Sequence, residues 1–102
     1  MEIRNFTTGI DKFILGLDRS VSSRVNKTLL FLKEFGNDLG MPFSKSLGSG
    51  LFELRISGNI PIRIIYCFHE NYAVLLHIFI KKQDRIPKKE LDLAKKRKGM
   101  LA

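Results

Sequence analysis

Residues 50–82 read GLFELRISGNIPIRIIYCFHENYAVLLHIFIKK, and this stretch decides the fold. It contains three segments, 51–57, 61–69 and 72–80, that are rich in the β-branched and aromatic residues typical of strands. The turn residues between the segments are Gly58-Asn59 and Glu70-Asn71. Because connections this short can join only antiparallel neighbours, the stretch predicts an antiparallel β-meander.

Alternation along the three strands predicts two different faces, since successive side chains point to opposite sides of a sheet. The apolar face is expected to hold Phe52, Leu54, Ile56, Ile62, Ile64, Tyr66, Phe68, Val74, Leu76, Ile78 and Ile80. The opposite face is expected to hold Glu53, Arg55, Arg63, Cys67, His69, His77 and Lys81, with Ile65, Leu75 and Phe79. This second face is cationic and partly polar. One interpretation is that Arg55 and Arg63 only make a solvated face soluble.

The residues before the meander predict two helices that cover its apolar face. The first, 8–17, has Ile10, Phe13, Ile14 and Leu17 at helical spacing. The second, 19–35, has an apolar stripe of Val21, Val25, Leu29, Leu32 and Phe35. Gly36 is placed to end it, because glycine accepts the left-handed conformation common at helix ends. Residues 1–6 are interpreted as a short edge strand, and 37–50 as a loop.

Length and composition restrict the class of protein. A chain of 102 residues is expected to form one domain with one two-layer core. It has no apolar run of about 20 residues and no signal-peptide pattern at its start, so a cytosolic protein without a membrane segment is expected. The single Cys67 excludes an internal disulfide. One cysteine and two histidines are too few for a structural metal site, so neither metal nor cofactor is predicted.

The positive charge is concentrated near the C-terminus. The chain has a formal charge of +8, and nine basic against three acidic residues fall within 81–98. A last helix is predicted over 88–98, after Pro87. Its final basic residues also complement the helix dipole, so part of the run has a structural explanation. The remaining charge suits either polyphosphate or an acidic protein.

Four strings in this order, LFELR, RIIY, LLHIFIKK and IPKKELDLAKKR, together with the two preceding helices, resemble the phage-type RelE/HigB toxins of bacterial toxin–antitoxin pairs. The resemblance implies an α+β fold of RelE type: two N-terminal helices on the antiparallel meander, with a basic C-terminal helix. It also implies an endoribonuclease that cuts messenger RNA, generally on the ribosome. An antitoxin, for which a helix-turn-helix protein is one expected type, would neutralise it.

The resemblance places the catalytic cations at Arg55, Arg63, Lys81 and Lys82. RNA cleavage without metal uses the 2′-hydroxyl as nucleophile, and it needs a proton acceptor, a proton donor and cations near the developing charge. Arg63 is expected to be the main stabiliser of that charge, because its strand is flanked on both sides. The residues expected to bind RNA are Arg85, Lys88, Lys89, Lys95, Lys96 and Arg97.

The proton-transfer groups are not assigned by the resemblance. Some members of the wider family use a C-terminal tyrosine or histidine, and this chain has neither after His77. Glu53 and His77 are the candidate substitutes, although a histidine inside an apolar strand is often structural. The alternative function is a basic module that binds RNA or an acidic protein without cleavage, for which Phe79 is the one good stacking candidate.

Overall fold

The computed structural model of the chain describes residues 1–101. The strands in this part of the chain are β1 (Glu2–Asn5), β2 (Ser44–Gly48), β3 (Leu51–Ile56), β4 (Ile62–His69) and β5 (Tyr72–Ile80). The helices are α1 (Thr8–Leu15), α2 (Arg19–Phe35) and α3 (Lys88–Gly99), with a short 3-10 turn over Gly36–Asp38. The predicted α+β class is confirmed, with a C-terminal helix after the strands.

The strands form one sheet in the order β1-β5-β4-β3-β2. β3, β4 and β5 pair antiparallel in sequence order, so the predicted meander is confirmed. β1 pairs with β5 in parallel, which confirms the edge strand predicted at the N-terminus. Glu70 and Asn71 both have positive φ, of 48° and 68°, as tight hairpins between twisted strands require.

Helices cover both faces of the sheet. α1 and α2 pack on one face, where Val25, Leu32, Leu54 and Ile64 are completely buried. α3 packs on the other face through Ala94, and there it meets a second buried cluster: Leu51, Ile65, Cys67, Val74, Leu76 and Phe79. The expectation of one two-layer core is therefore wrong, because each side of the sheet has its own buried cluster. The second face is apolar where α3 covers it and polar at the end where β3 and β4 carry charged residues.

A β-bulge in β5 reverses part of the predicted alternation. Tyr66 is opposite Leu75 while Ile65 is opposite His77, so Leu76 is an extra residue. A bulge of this kind places two residues of one strand against one of its partner and shifts the side-chain phase. Leu75 therefore faces α1 and α2, whereas Val74 and Leu76 face α3, the reverse of the prediction.

Three other expectations differ from the structure. The segment 37–50 contains a strand, β2, because its backbone pairs with β3 even though its sequence is polar and glycine-rich. Phe35, predicted in the buried stripe of α2, is 51% exposed as the last residue of that helix. The helix predicted over 8–17 ends at Leu15, where Gly16 follows as the cap.

Candidate functional site

The pairing of β3, β4 and β5 aligns four of the predicted catalytic residues in two neighbouring rows across the sheet. One row holds Glu53, Ile65 and His77, and the next holds Arg55, Arg63 and Phe79. Adjacent strands are separated by about 4.8 Å, so side chains in these rows come within contact distance of one another. The face predicted from alternation is thus confirmed for these residues, because His77 and Phe79 follow the β5 bulge at Leu76 and keep the predicted phase.

Glu53 lies between two guanidinium groups. Its Oε1 is 3.6 Å from Nε of Arg55, and its Oε2 is 3.8 Å from Nε of Arg63. Glu53 and Arg63 are both 5% exposed, whereas the Arg55 side chain is 28% exposed. A carboxylate held by two cations in this way orients them, so Glu53 is suited to position Arg55 and Arg63.

Arg63 is the deeper of the two arginines. Its Nη1 donates to the carbonyl of Ile62 at 3.0 Å, and its Nε has no hydrogen-bond partner. Burial lowers the pKa of Arg63, the nearby Glu53 raises it and the nearby Arg55 lowers it, with burial the largest effect. Direct contact between Arg63 and a large ligand would need the side chain to move. Arg55 is the arginine of this pair that solvent reaches.

His77 has a carboxylate partner that the sequence did not predict. Its Nε2 lies 3.1 Å from Oε2 of Glu90 in α3, and both side chains are 17% exposed. The ring also stacks on Phe79, with centroids 5.6 Å apart and planes 23° apart. Because an ionised carboxylate accepts the proton of Nε2, this arrangement leaves Nδ1 as the nitrogen able to accept another proton.

Glu90 stands in the first turn of α3, where a carboxylate also complements the positive end of the helix dipole. The contact between Glu90 and His77 depends on the path of residues 81–87, which bring α3 back across the sheet. The spacing of residues in the sequence does not predict that path. The available signal was an acidic residue at the start of a helix directly after the strand that carries His77.

His77 and Glu90 line a cleft of about 460 Å³ between β5 and the start of α3. Phe79, Lys82 and Lys89 line the same cleft. Lys82 and Lys89 are exposed, so the cleft brings flexible cations close to a histidine–carboxylate pair. Such a set can bind a phosphate group and transfer a proton near it.

The other predicted residues divide into solvated and packed groups. Lys81 is half-buried, and its backbone N–H donates to the Pro61 carbonyl at 2.9 Å, which extends the β4–β5 pairing by one residue. Of the predicted RNA-binding residues outside the cleft, Arg85, Lys88, Lys95 and Lys96 are exposed. Arg97 is half-buried: its Nη1 donates to the Leu76 carbonyl at 2.6 Å, and its guanidinium lies 5.5 Å from the Phe6 ring centroid. Arg97 therefore joins α3 to the sheet.

Within 1–101, no group of three or more histidine, cysteine, aspartate or glutamate residues is arranged to hold a metal ion. Cys67 is 1% exposed, and burial raises the pKa of its thiol, with a smaller opposing effect from Lys98. In the same range, every helix is too short or too polar to cross a membrane.

Comparison with known proteins identifies the family. No curated protein matches the sequence. Residues 12–99 match the model of the phage-derived Gp49-like proteins (DUF891), so the match extends from α1 to the end of α3 and includes every residue discussed above as a site candidate. The chain therefore belongs to the phage-derived Gp49-like family, which is a toxin-like family.

Proposed function

We propose that this chain is the toxin of a bacterial toxin–antitoxin pair of RelE/HigB type. In this proposal it is a metal-independent endoribonuclease that cuts messenger RNA, generally on the ribosome. Membership of a toxin-like family supports the first part. The observation that supports cleavage is the His77–Glu90 pair, which lies 3.1 Å apart beside Lys82 and Lys89 in one cleft.

The chemistry assigns a role to each group. Nδ1 of His77 takes the proton of the 2′-hydroxyl, and the resulting oxyanion attacks the adjacent phosphorus. Lys82 and Lys89 neutralise the phosphate oxygens as the bond to the 5′-oxygen breaks. The product is a 2′,3′-cyclic phosphate, and the 5′-oxygen takes its proton from solvent or from an ordered group of the ribosome.

Arg55 supplies a third cation at the β3 end of the same face. Its guanidinium is able to hold two phosphate oxygens at once, and Glu53 fixes its direction at 3.6 Å. Arg63 acts behind Arg55, through Glu53, as a positioning residue. Among the candidates for proton transfer, His77 is therefore favoured over Glu53, whose oxygens face the two arginines.

An antitoxin completes the proposal. It would neutralise the toxin by covering the basic surface formed by the cleft and α3, and acidic residues would complement the exposed Lys82, Lys88 and Lys89. A helix-turn-helix protein encoded beside the toxin is the expected type. The messenger and the ribosome are the other expected partners.

One observation favours the alternative, a basic module that binds without cutting. Arg63, the expected transition-state stabiliser, is only 5% exposed. The test incubates the purified protein with translating ribosomes and maps the 5′ ends of the messenger. New 5′ ends that disappear with His77→Gln would support cleavage. Ribosome binding without new ends would exclude cleavage and support the alternative.

A further inference from the structure

A second groove, of about 350 Å³, lies between α2, the end of β3 and the chain that precedes β2. Three cationic side chains, Arg24, Lys27 and Arg55, line it, and no carboxylate does. Neither Arg24 nor Lys27 forms an ion pair with a carboxylate of residues 1–101. The groove thus carries positive charge that the described part of the chain leaves unneutralised.

Arg24 is held in the wall of this groove by packing against Gly58. A Cβ atom at Gly58 would lie 2.5 Å from Nη2 and 2.6 Å from Cζ of Arg24, so a larger residue would displace the guanidinium. The Nε of Arg24 is buried without a hydrogen-bond partner, although buried polar atoms are normally paired. The local fold therefore fixes a cation here without providing an anionic partner for it.

Two aromatic rings lie beside these cations. Phe31 and Phe43 pack edge to face with ring centroids 5.1 Å apart, and Phe43 is 37% exposed. The ammonium of Lys27 lies 6.0 Å from the Phe31 centroid. Proteins that bind single-stranded nucleic acids use this combination, in which cations follow the phosphates and aromatic rings stack on the bases.

Arg55 connects the groove to the candidate site. Its Nη1 lies 3.9 Å from the Met41 sulfur at the sheet edge, while its Nε faces Glu53 at 3.6 Å. The same guanidinium therefore belongs to the groove and to the row that contains Arg63. A strand of nucleic acid in the groove would reach the candidate site at Arg55.

We propose that this groove binds single-stranded RNA, with phosphates at Arg24 and Lys27 and a base stacked on Phe43. An acidic peptide would complement the charge equally well but would leave the exposed Phe43 ring without a stacking partner. The exposed ring therefore favours RNA. Binding in the groove does not depend on cleavage at the candidate site. The two proposals can therefore fail separately.

The test measures the affinity of the whole protein for a short fluorescein-labelled 2′-O-methyl oligoribonucleotide, which lacks the attacking hydroxyl. Phe43→Leu is expected to weaken binding about 5- to 100-fold, the usual loss when a base loses its stacking ring. Lys27→Gln is expected to reduce the slope of log affinity against log salt by about 0.7, the value for one lost phosphate contact with a single strand.

Matched controls lie outside the groove. Phe35→Leu changes a different exposed phenylalanine, the last residue of α2, and Lys12→Gln changes an exposed lysine of α1. Both control proteins should bind like the parent. Unchanged binding in Phe43→Leu and Lys27→Gln, or equal losses in the controls, would overturn the proposal. An oligoglutamate peptide that binds as tightly as RNA, without dependence on Phe43, would also overturn it and would assign the groove to an acidic protein.

Discussion

Nε2 of His77 lies 3.1 Å from Oε2 of Glu90, and this pair joins the last strand of the meander to the C-terminal helix. The contact has two consequences. It orients an imidazole within a cleft that contains two lysines. It also makes α3 part of the candidate site, because the carboxylate that sets the histidine tautomer belongs to that helix.

The first prediction concerns His77 and its partner. His77→Gln should reduce cleavage of ribosome-bound messenger by about 100- to 10,000-fold, the range for loss of a general base. Glu90→Gln should reduce it less, because an amide still contacts the ring but no longer selects its tautomer. The measurement is the cleavage rate of each variant, with a thermal melt beside it. Full activity in folded His77→Gln would exclude the histidine as the base.

The second prediction separates the two arginines. Arg63→Ala should lower the free energy of unfolding, because it leaves the buried Glu53 with one cationic neighbour in place of two. Breaking a buried ion pair from one side costs about 3–5 kcal/mol, and this is an upper bound here because Arg55 remains. Arg55→Ala should change stability less, since its side chain is 28% exposed, and should reduce RNA cleavage more at equal folded fraction.

Urea unfolding gives the stability of each variant. The cleavage assay is run without urea, at a temperature at which every variant is folded. Arg63→Lys is the matched control, since it keeps a charge near Glu53. If Arg63→Ala unfolds at the same urea concentration as the parent, the positioning role of Arg63 through Glu53 is wrong.

Much of this fold could be predicted because its strands carry strong local signals. The strand predicted over 72–80 has the bounds of β5, and the helix predicted over 19–35 has those of α2. β2 gave no such signal: Ser44 and Lys45 are polar, and the strand exists because the exposed backbone edge of β3 is there to pair with it. Composition alone therefore assigned that segment to a loop.

The candidate site was predictable only where it follows from alternation. Arg55 and Arg63 could be placed on one face because, along each strand, residues an even number of positions apart point to the same side of the sheet. The bulge at Leu76 was not predictable, since an extra residue in the apolar run 73–76 leaves the pattern of residue types unchanged. The partnership of Glu90 with His77 depends on tertiary packing of α3, so sequence spacing did not indicate it.

A third prediction concerns the pH dependence of stability, which follows from the raised pKa values of the buried Tyr66 and Cys67 side chains. Burial raises the pKa of Tyr66, against a smaller effect of its hydrogen bond with Ser44, and burial also raises the pKa of Cys67. Both groups then bind protons more tightly in the folded chain than in the unfolded chain. Their contribution to stability is complete at neutral pH and is lost as pH rises past the unfolded values, about 8.5 for the thiol and about 10 for the phenol.

Urea unfolding at pH 7 and at pH 10 measures this loss, and the free energy of unfolding should be lower at pH 10. Cys67→Ala should show a smaller decrease between the two values, because it removes one of the two groups. In the folded parent at pH 8, the Cys67 thiol should also react slowly with a disulfide reagent. Equal stability at both pH values would contradict the prediction.

A fourth prediction concerns growth. Expression of the chain alone in a bacterium should arrest growth and reduce protein synthesis, if this member of a toxin-like family cuts messengers as we propose. His77→Gln, expressed to the same level, should permit growth. If a helix-turn-helix protein is encoded beside this chain, as we propose, its co-expression should restore growth with the parent. Normal growth and normal synthesis at high expression would contradict the proposed function.

The last prediction divides the basic C-terminal helix into two roles. Lys95 and Lys96 are exposed, whereas Arg97 donates to the Leu76 carbonyl at 2.6 Å and lies against Phe6. Replacing Lys95 and Lys96 together by Ala should leave the thermal melt unchanged and flatten the salt dependence of ribosome binding, because fewer counterions are released. Arg97→Ala should lower the melting temperature, since it removes a contact that joins α3 to β5. It should leave the salt dependence of ribosome binding unchanged. If the double lysine variant keeps the parent's salt slope, these lysines are only a solvated helix end that complements the helix dipole.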